Sequence, residues 1–342
     1  MIVVSERYSR QELFSSIGER GQELIRSKHV LVVGAGALGS ANCEMLTRAG
    51  VGKLTIIDRD YVEESNLQRQ QLYTEEDVWQ KLPKAEAAKR HLNKINSDVV
   101  IEAIVADGNA ITLEKLVKEV DVVVDATDNF ETRMVMNDLA QKYNKPWIYG
   151  ACVGSSGMSF TIIPGETPCL SCLLTTLPLQ GMTCDTNGII APAVTMVVAH
   201  QNVEVLKILT ENWDKVRTGF VSFDVWNNDY RVIKASKMKK STCLSCGENR
   251  TYPFLQKENA TKTAVLCGRN TVQIRPAQNR QLQLNKLAIE LKAAGYEVKA
   301  NPFLVAIEHR GERMVIFQDG RALVHDTKNE AKAKSFYQKI LG

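Results

Sequence analysis

Three glycines, Gly34, Gly36 and Gly39, close the stretch His29–Ser40, HVLVVGAGALGS, with a spacing that can hold a phosphate. An apolar run, Val30–Val33, a G-x-G-x-x-G turn and a helical pattern read as strand, loop and helix N-terminus. Gly34 allows the tight turn, Gly36 lets backbone approach a phosphate, and Gly39 lets the helix pack close to the strand. Free N–H groups and the positive end of the helix dipole then favour an anion. The glycines alone leave a dinucleotide and a mononucleotide equally open. Charged side chains gather at later strand ends. Asp58 ends KLTIID, 22 residues beyond Gly36, where an acid can accept hydrogen bonds from ribose hydroxyls. Asn66, Arg69, Gln70 and Lys84 follow, and Asp128, Asn129 and Arg133 come after the apolar run DVVVDAT. Several cations with one carboxylate at a single carboxyl edge suit a polyphosphate and a metal ion. The pyrophosphate of a dinucleotide does not need that density.

Cys169 with Cys172, and Cys243 with Cys246, form two C-x-x-C pairs. Such knuckles suit a closed tetrahedral zinc site, and their long separation leaves a redox pair as the alternative. Cys184 stands apart in a polar loop, Gly181–Asn187, ahead of a long helix. Cys43 and Cys152 are expected to be buried and inert, and Cys267 has Arg269 close by. The five histidines form no cluster.

The elements that must position these groups alternate. Strands at 53–58, 99–105, 121–125 and 147–151 are separated by helices, one of them opened by Pro83. That order predicts a doubly wound, Rossmann-like α/β fold with ligands at the carboxyl ends of its strands. Past 158 the pattern turns antiparallel, with a long helix over 192–209 and a strand pair joined at Asn227-Asn228-Asp229. Ahead of the glycine strand, Leu13, Ile17, Leu24 and Ile25 are expected to share one face of an amphipathic helix. We divide the chain into a domain over 1–250, a linker over 251–262 and a small basic α+β domain over 263–342. Residues 256–342 hold 15 Lys+Arg against 8 Asp+Glu within a net charge of +4. The apolar start MIVV is too short for a secretory h-region, and Ile189–Ala199 is too short for a membrane span, so a cytoplasmic protein without membrane or nucleic-acid partners is expected.

SRQ at Ser9–Gln11, GAGALGS, IDRDYVEESNLQRQ, Pro83-Lys84, DATDNFETR, the paired C-x-x-C motifs and TCDTNGIIAP together resemble the ThiF/MoeB/HesA family, bacterial relatives of ubiquitin-activating enzymes. The resemblance covers roughly residues 5–250. It implies ATP-dependent adenylation of the C-terminal glycine of a ubiquitin-like sulfur-carrier protein, with release of pyrophosphate. The pathway implied is thiamine thiazole synthesis with a ThiS-like carrier, or molybdopterin synthesis with a MoaD-like one. Carried onto this chain, nucleotide binding falls to Gly34, Gly36, Ala37, Leu38, Gly39, Asp58, Asp60, Asn66, Arg69, Gln70, Lys84, Asp128 and Asn129. Asp128 would hold Mg²⁺, Arg133 would assist, and Arg10 would act on the triphosphate of a homodimer partner. Cys184 would be able to link covalently to the activated carrier. Without a rhodanese-type domain, sulfur would come from an external donor such as a cysteine desulfurase. An NAD-dependent oxidoreductase and a catalytically silent partner-binding module are the rival readings.

Overall fold

The computed structural model describes residues 6–175, 187–256, 263–265, 270–276, 281–309 and 311–341. They form two compact units, 1–79 with 83–256, and 80–82 with 257–342.

The first unit alternates as the sequence predicts. Its elements are α1 (Gly18–Ser27), β1 (His29–Val33), α2 (Ala37–Ala49), β2 (Lys53–Asp58), α3 (Lys84–Ile95), β3 (Val100–Val105), α4 (Ala110–Lys118), β4 (Val122–Asp125), α5 (Phe130–Tyr143), β5 (Trp147–Val153), β6 (Ser156–Ile162), α6 (Ala191–Leu209), β7 (Gly219–Asp224) and β8 (Asp229–Lys234). Strand order is β3-β2-β1-β4-β5-β6-β7-β8. The first five strands pair parallel and the last three antiparallel. Val30–Val33 of β1 are all buried, as a strand covered on both faces requires. On one face, Leu31 and Val123 pack with Leu113 of α4 and Met136 and Leu139 of α5. Gln201 of α6 donates to Asp125 O and Ile148 O at 2.7 and 3.2 Å, and accepts from Asn42 of α2 at 2.8 Å. Strand order reverses between β1 and β4, which opens a crevice at their carboxyl ends.

The N-terminal segment differs from expectation. A short helix over Ser9–Glu12 stops, and α1 restarts at Gly18, whose φ of +61° is a left-handed turn that an uninterrupted helix cannot contain. Leu13 and Phe14 are left 73% and 60% exposed, while Ile25 is buried. The expected linker also starts late. Residues 251–256 belong with the first unit, where Phe254 N–H donates to Asp138 at 2.9 Å.

The second unit is an antiparallel sheet of β9 (Thr263–Val265), β10 (Thr271–Ile274), β11 (Glu297–Ala300), β12 (Leu304–His309), β13 (Glu312–Phe317) and β14 (Ala322–His325), in the order β11-β12-β13-β14-β10-β9. Its helices α7 (Leu284–Ala293) and α8 (Glu330–Leu341) bury Leu284, Leu291 and Phe336 against Val272, Ile307 and Ile316. Among the described residues no helix is long and apolar enough to cross a membrane.

Candidate active site and cysteine cluster

The three glycines divide their work as their spacing predicts. Gly34 has a φ of +98°, and a Cβ there would lie 2.4 Å from Ala126 O; one on Gly39 would lie 1.9 Å from Gly34 O. Neither position tolerates a side chain. Around Gly36 the nearest atom to such a Cβ is Gln70 Nε2 at 3.9 Å, so the backbone there is the least crowded of the three. Gly36 caps α2 without a side-chain hydrogen bond, which leaves the first N–H groups of that helix, including those of Ala37 and Leu38, for a ligand.

Asp58 holds this loop from the end of β2. Its two oxygens accept from Ala35 N–H and Asp60 N–H, each at 2.6 Å. Burial raises its pKa, and Lys84 opposes that rise. Lys84 opens α3 with its side chain 2% exposed and its Nζ 3.6 Å from Asp60, while its N–H donates to Asp60 O at 2.9 Å. Tyr73, which sequence reasoning missed, puts its hydroxyl 2.7 Å from Ala35 O and 3.1 Å from Lys84 O, and so ties the glycine loop to α3. Arg59, also missed, lies 3.5 Å from Asp107 and 3.6 Å from Asp128.

The polar stretch after β2 is partly committed to its own backbone. Asn66 is buried and its Oδ1 accepts from Glu63 N–H at 3.1 Å, as the far half of a capping box. Arg69 Nη1 donates to Ser65 O at 2.8 Å. Gln70 is 2% exposed, and its buried Oε1 has no hydrogen-bond partner among the described residues. A buried amide oxygen left unpaired is costly, and a donor on a bound ligand would satisfy it.

At the end of β4 two of the expected site residues are engaged with the protein itself. Arg133, expected to assist catalysis, is buried in a clamp. Its Nε donates to Asp125 at 2.9 Å, and its Nη2 to Thr127 O and Gly150 O at 2.7 and 3.0 Å. Burial disfavours its charge, but Asp125, Tyr149 and Asp128 together outweigh burial and the pKa rises. Arg133 thus positions the chain that carries Asp128. Asn129, expected to contact nucleotide, has its Oδ1 occupied as the N-cap of α5, accepting from Thr132 N–H at 2.9 Å. Asp128 projects outward with its side chain 62% exposed. Arg10 is exposed on the Ser9–Glu12 helix beside Leu13 and Phe14.

Away from the crevice, Cys169, Cys172, Cys243 and Cys246 converge, all four sulfurs within 4.8 Å of one another. Two pairs, 169 with 243 and 172 with 246, stand 3.6 Å apart. A tetrahedron of metal–sulfur bonds of about 2.3 Å has edges of about 3.8 Å, so the cluster fits a metal ion. Buried Asn137 of α5 accepts from Leu170 N–H at 2.8 Å, and Ser171 meets Ser245 at 3.1 Å, which brings the two knuckles into register. Cys184 and Cys267 lie outside the described residues.

The ThiF family profile matches residues 8–246. Over 336 residues, 98% of this chain and 99% of the relative, the sequence is 52% identical to the sulfur carrier protein ThiS adenylyltransferase of Bacillus subtilis (strain 168). It is 34% identical over 245 residues to the molybdopterin-synthase adenylyltransferase of Escherichia coli (strain K12), covering 71% of this chain and 96% of that one. A crystal structure of E. coli MccB matches with a TM-score of 0.63 at 24% identity, covering 73% of this chain and 74% of the other, which shows a shared fold. The chain belongs to the ThiF family.

Proposed function

We propose that this protein adenylates the C-terminal carboxylate of a ubiquitin-like sulfur carrier, and that the carrier is of the ThiS type. The observation that carries the activity is the convergence at one crevice of an uncapped helix N-terminus, the uncrowded backbone at Gly36, buried Lys84 and outward-facing Asp128. The carrier type rests on a different fact. Similarity to the B. subtilis ThiS adenylyltransferase runs through the small second unit, whereas the E. coli molybdopterin-synthase relative is matched almost whole by 71% of this chain.

The carrier carboxylate is ionised at neutral pH and needs no general base. Its oxygen bonds to the α-phosphorus of ATP, the bridging P–O bond breaks, and pyrophosphate leaves with the electron pair. What the protein supplies is alignment and screening of two anions. Asp58 takes the ribose. Lys84, Arg69 and the α2 N-terminus take phosphate oxygens, with Asn66 and Gln70 lining the turn. Asp60 holds Lys84 in place. Asp128 is the carboxylate suited to hold Mg²⁺, which when bound neutralises phosphate charge. Arg10 comes from a second copy of the chain; exposed Leu13 and Phe14 beside it give the homodimer contact an apolar anchor. The four cysteines hold zinc as a structural tie. A desulfurase-type donor supplies the sulfur, and the protein works in the cytoplasm.

ATP–pyrophosphate exchange with purified carriers tests this reading. A ThiS-like carrier should support exchange. Exchange with only a MoaD-like carrier overturns the thiamine assignment, and tight NADH binding without pyrophosphate release overturns the activity.

A further inference from the structure

Arg59 is the cation in this crevice to which neither motif nor spacing assigned a role. It follows Asp58 at the end of β2, yet its guanidinium reaches Asp107, two residues past β3, at 3.5 Å and Asp128, three residues past β4, at 3.6 Å. Since β3 and β4 stand on opposite sides of the β2-β1 pair, that reach spans the mouth of the switch-point crevice. The side chain is 15% exposed, and four carboxylates surround it, those of Asp58, Asp60, Asp107 and Asp128. The nearby cation on the opposite flank, Lys84, is engaged with Asp60. Without Arg59, these carboxylates would be left with Lys84 beside Asp60 and with Arg133, which Asp128 also faces.

We infer that Arg59 is a positioning residue that holds Asp107 and Asp128 together across the crevice and must release Asp128 before that carboxylate can take a divalent cation. This deepens the ATP reading and rests on it. Asp128 is kept in place by a resident cation, so a free divalent ion gains little by binding to the nucleotide-free protein. Only an ion arriving with phosphate ligands of its own offsets the loss of the guanidinium. Metal and nucleotide therefore enter as one complex. A guanidinium suits the task because its fork reaches two carboxylates at once, which a lysine ammonium on a single point charge does not.

The test is Mn²⁺ titration of the full-length, nucleotide-free protein, read by electron paramagnetic resonance, with binding of a non-hydrolysable ATP analogue measured alongside. Arg59→Gln should bind Mn²⁺ roughly tenfold more tightly than the unmodified protein, the factor that corresponds to 1.4 kcal/mol. Adding Asp128→Asn to that variant should erase the gain. Arg59→Lys, which keeps a charge in the cleft and guards against a folding defect, should show a smaller gain in the same direction. Equal or weaker Mn²⁺ affinity in Arg59→Gln and Arg59→Lys, with analogue binding intact, overturns the role of Arg59. Failure of the unmodified protein to bind the analogue counts instead against the ATP reading.

Discussion

Arg133 shows how burial changes the meaning of a charged residue in a motif. In DATDNFETR it reads as one more phosphate cation, but three of its five N–H donors go to Asp125, Thr127 O and Gly150 O. Asp125 itself is fully buried and also accepts from Thr127 N–H at 2.9 Å. Removing the arginine leaves a buried carboxylate without its cation, a change that costs about 3–5 kcal/mol in comparable pairs. Arg133→Met should therefore lower unfolding free energy in urea by about that amount. A loss of exchange activity with stability unchanged would instead return Arg133 to the catalytic set. Lys84 has the opposite balance. It is as buried, but it meets Asp60 at 3.6 Å, a looser contact that leaves its ammonium for an incoming anion.

At the scale of elements, α5 joins two sites that look unrelated in sequence. Its first turn carries the Asn129 cap and Arg133, at the nucleotide crevice. One turn on, Asn137 meets the first cysteine knuckle through Leu170 N–H, and Asp138 meets the second through the Ser245 hydroxyl. Helices transmit displacement along their axis because each turn is hydrogen-bonded to the next. Stripping metal with a chelator, or Cys243→Ser, should lower the melting temperature and weaken binding of the ATP analogue together. Metal analysis finding none bound to protein with four free thiols would remove the structural tie. A melting temperature that falls while nucleotide affinity stays constant would show that α5 does not couple the sites.

For the whole molecule, the open question is where Arg10 acts. It sits on a short helix ahead of α1, exposed beside two large apolar side chains that nothing in the described chain covers. An arginine supplied in trans to phosphoryl transfer is worth about 10³–10⁵ in rate, a scale large enough for a mixing experiment to read. Arg10→Ala and Lys84→Met, each inactive alone, should regain exchange activity when co-expressed, because a mixed dimer holds one intact site. Absence of recovery in confirmed mixed dimers would place Arg10 in its own subunit's site or outside catalysis. In the homodimer proposed above, Phe14→Asp should dissociate the two copies on gel filtration.

Much of the molecule was determined by the sequence itself. The alternation of buried strands with amphipathic helices, the glycine turn and the paired cysteines are local patterns. Local patterns survive translation into structure because period, turn chemistry and ligand spacing act within a few residues. Strand order, the division of labour among Gly34, Gly36 and Gly39, and the convergence of Cys169 and Cys172 with Cys243 and Cys246 all agree with that reading. Tertiary structure decided which polar side chains remain free for a ligand. Asn129, Asn66 and Arg133 carry the right chemistry, but caps claim the Oδ1 atoms of the two asparagines, and a buried carboxylate claims the Nε of Arg133. Tyr73 and Gln201 lie outside the motifs and Arg59 has no assigned role within its own, since most of their partners lie tens of residues away in the chain. Whether a polar group serves the fold or the ligand depends on which partners packing brings within hydrogen-bonding distance, and spacing along the chain does not encode that distance.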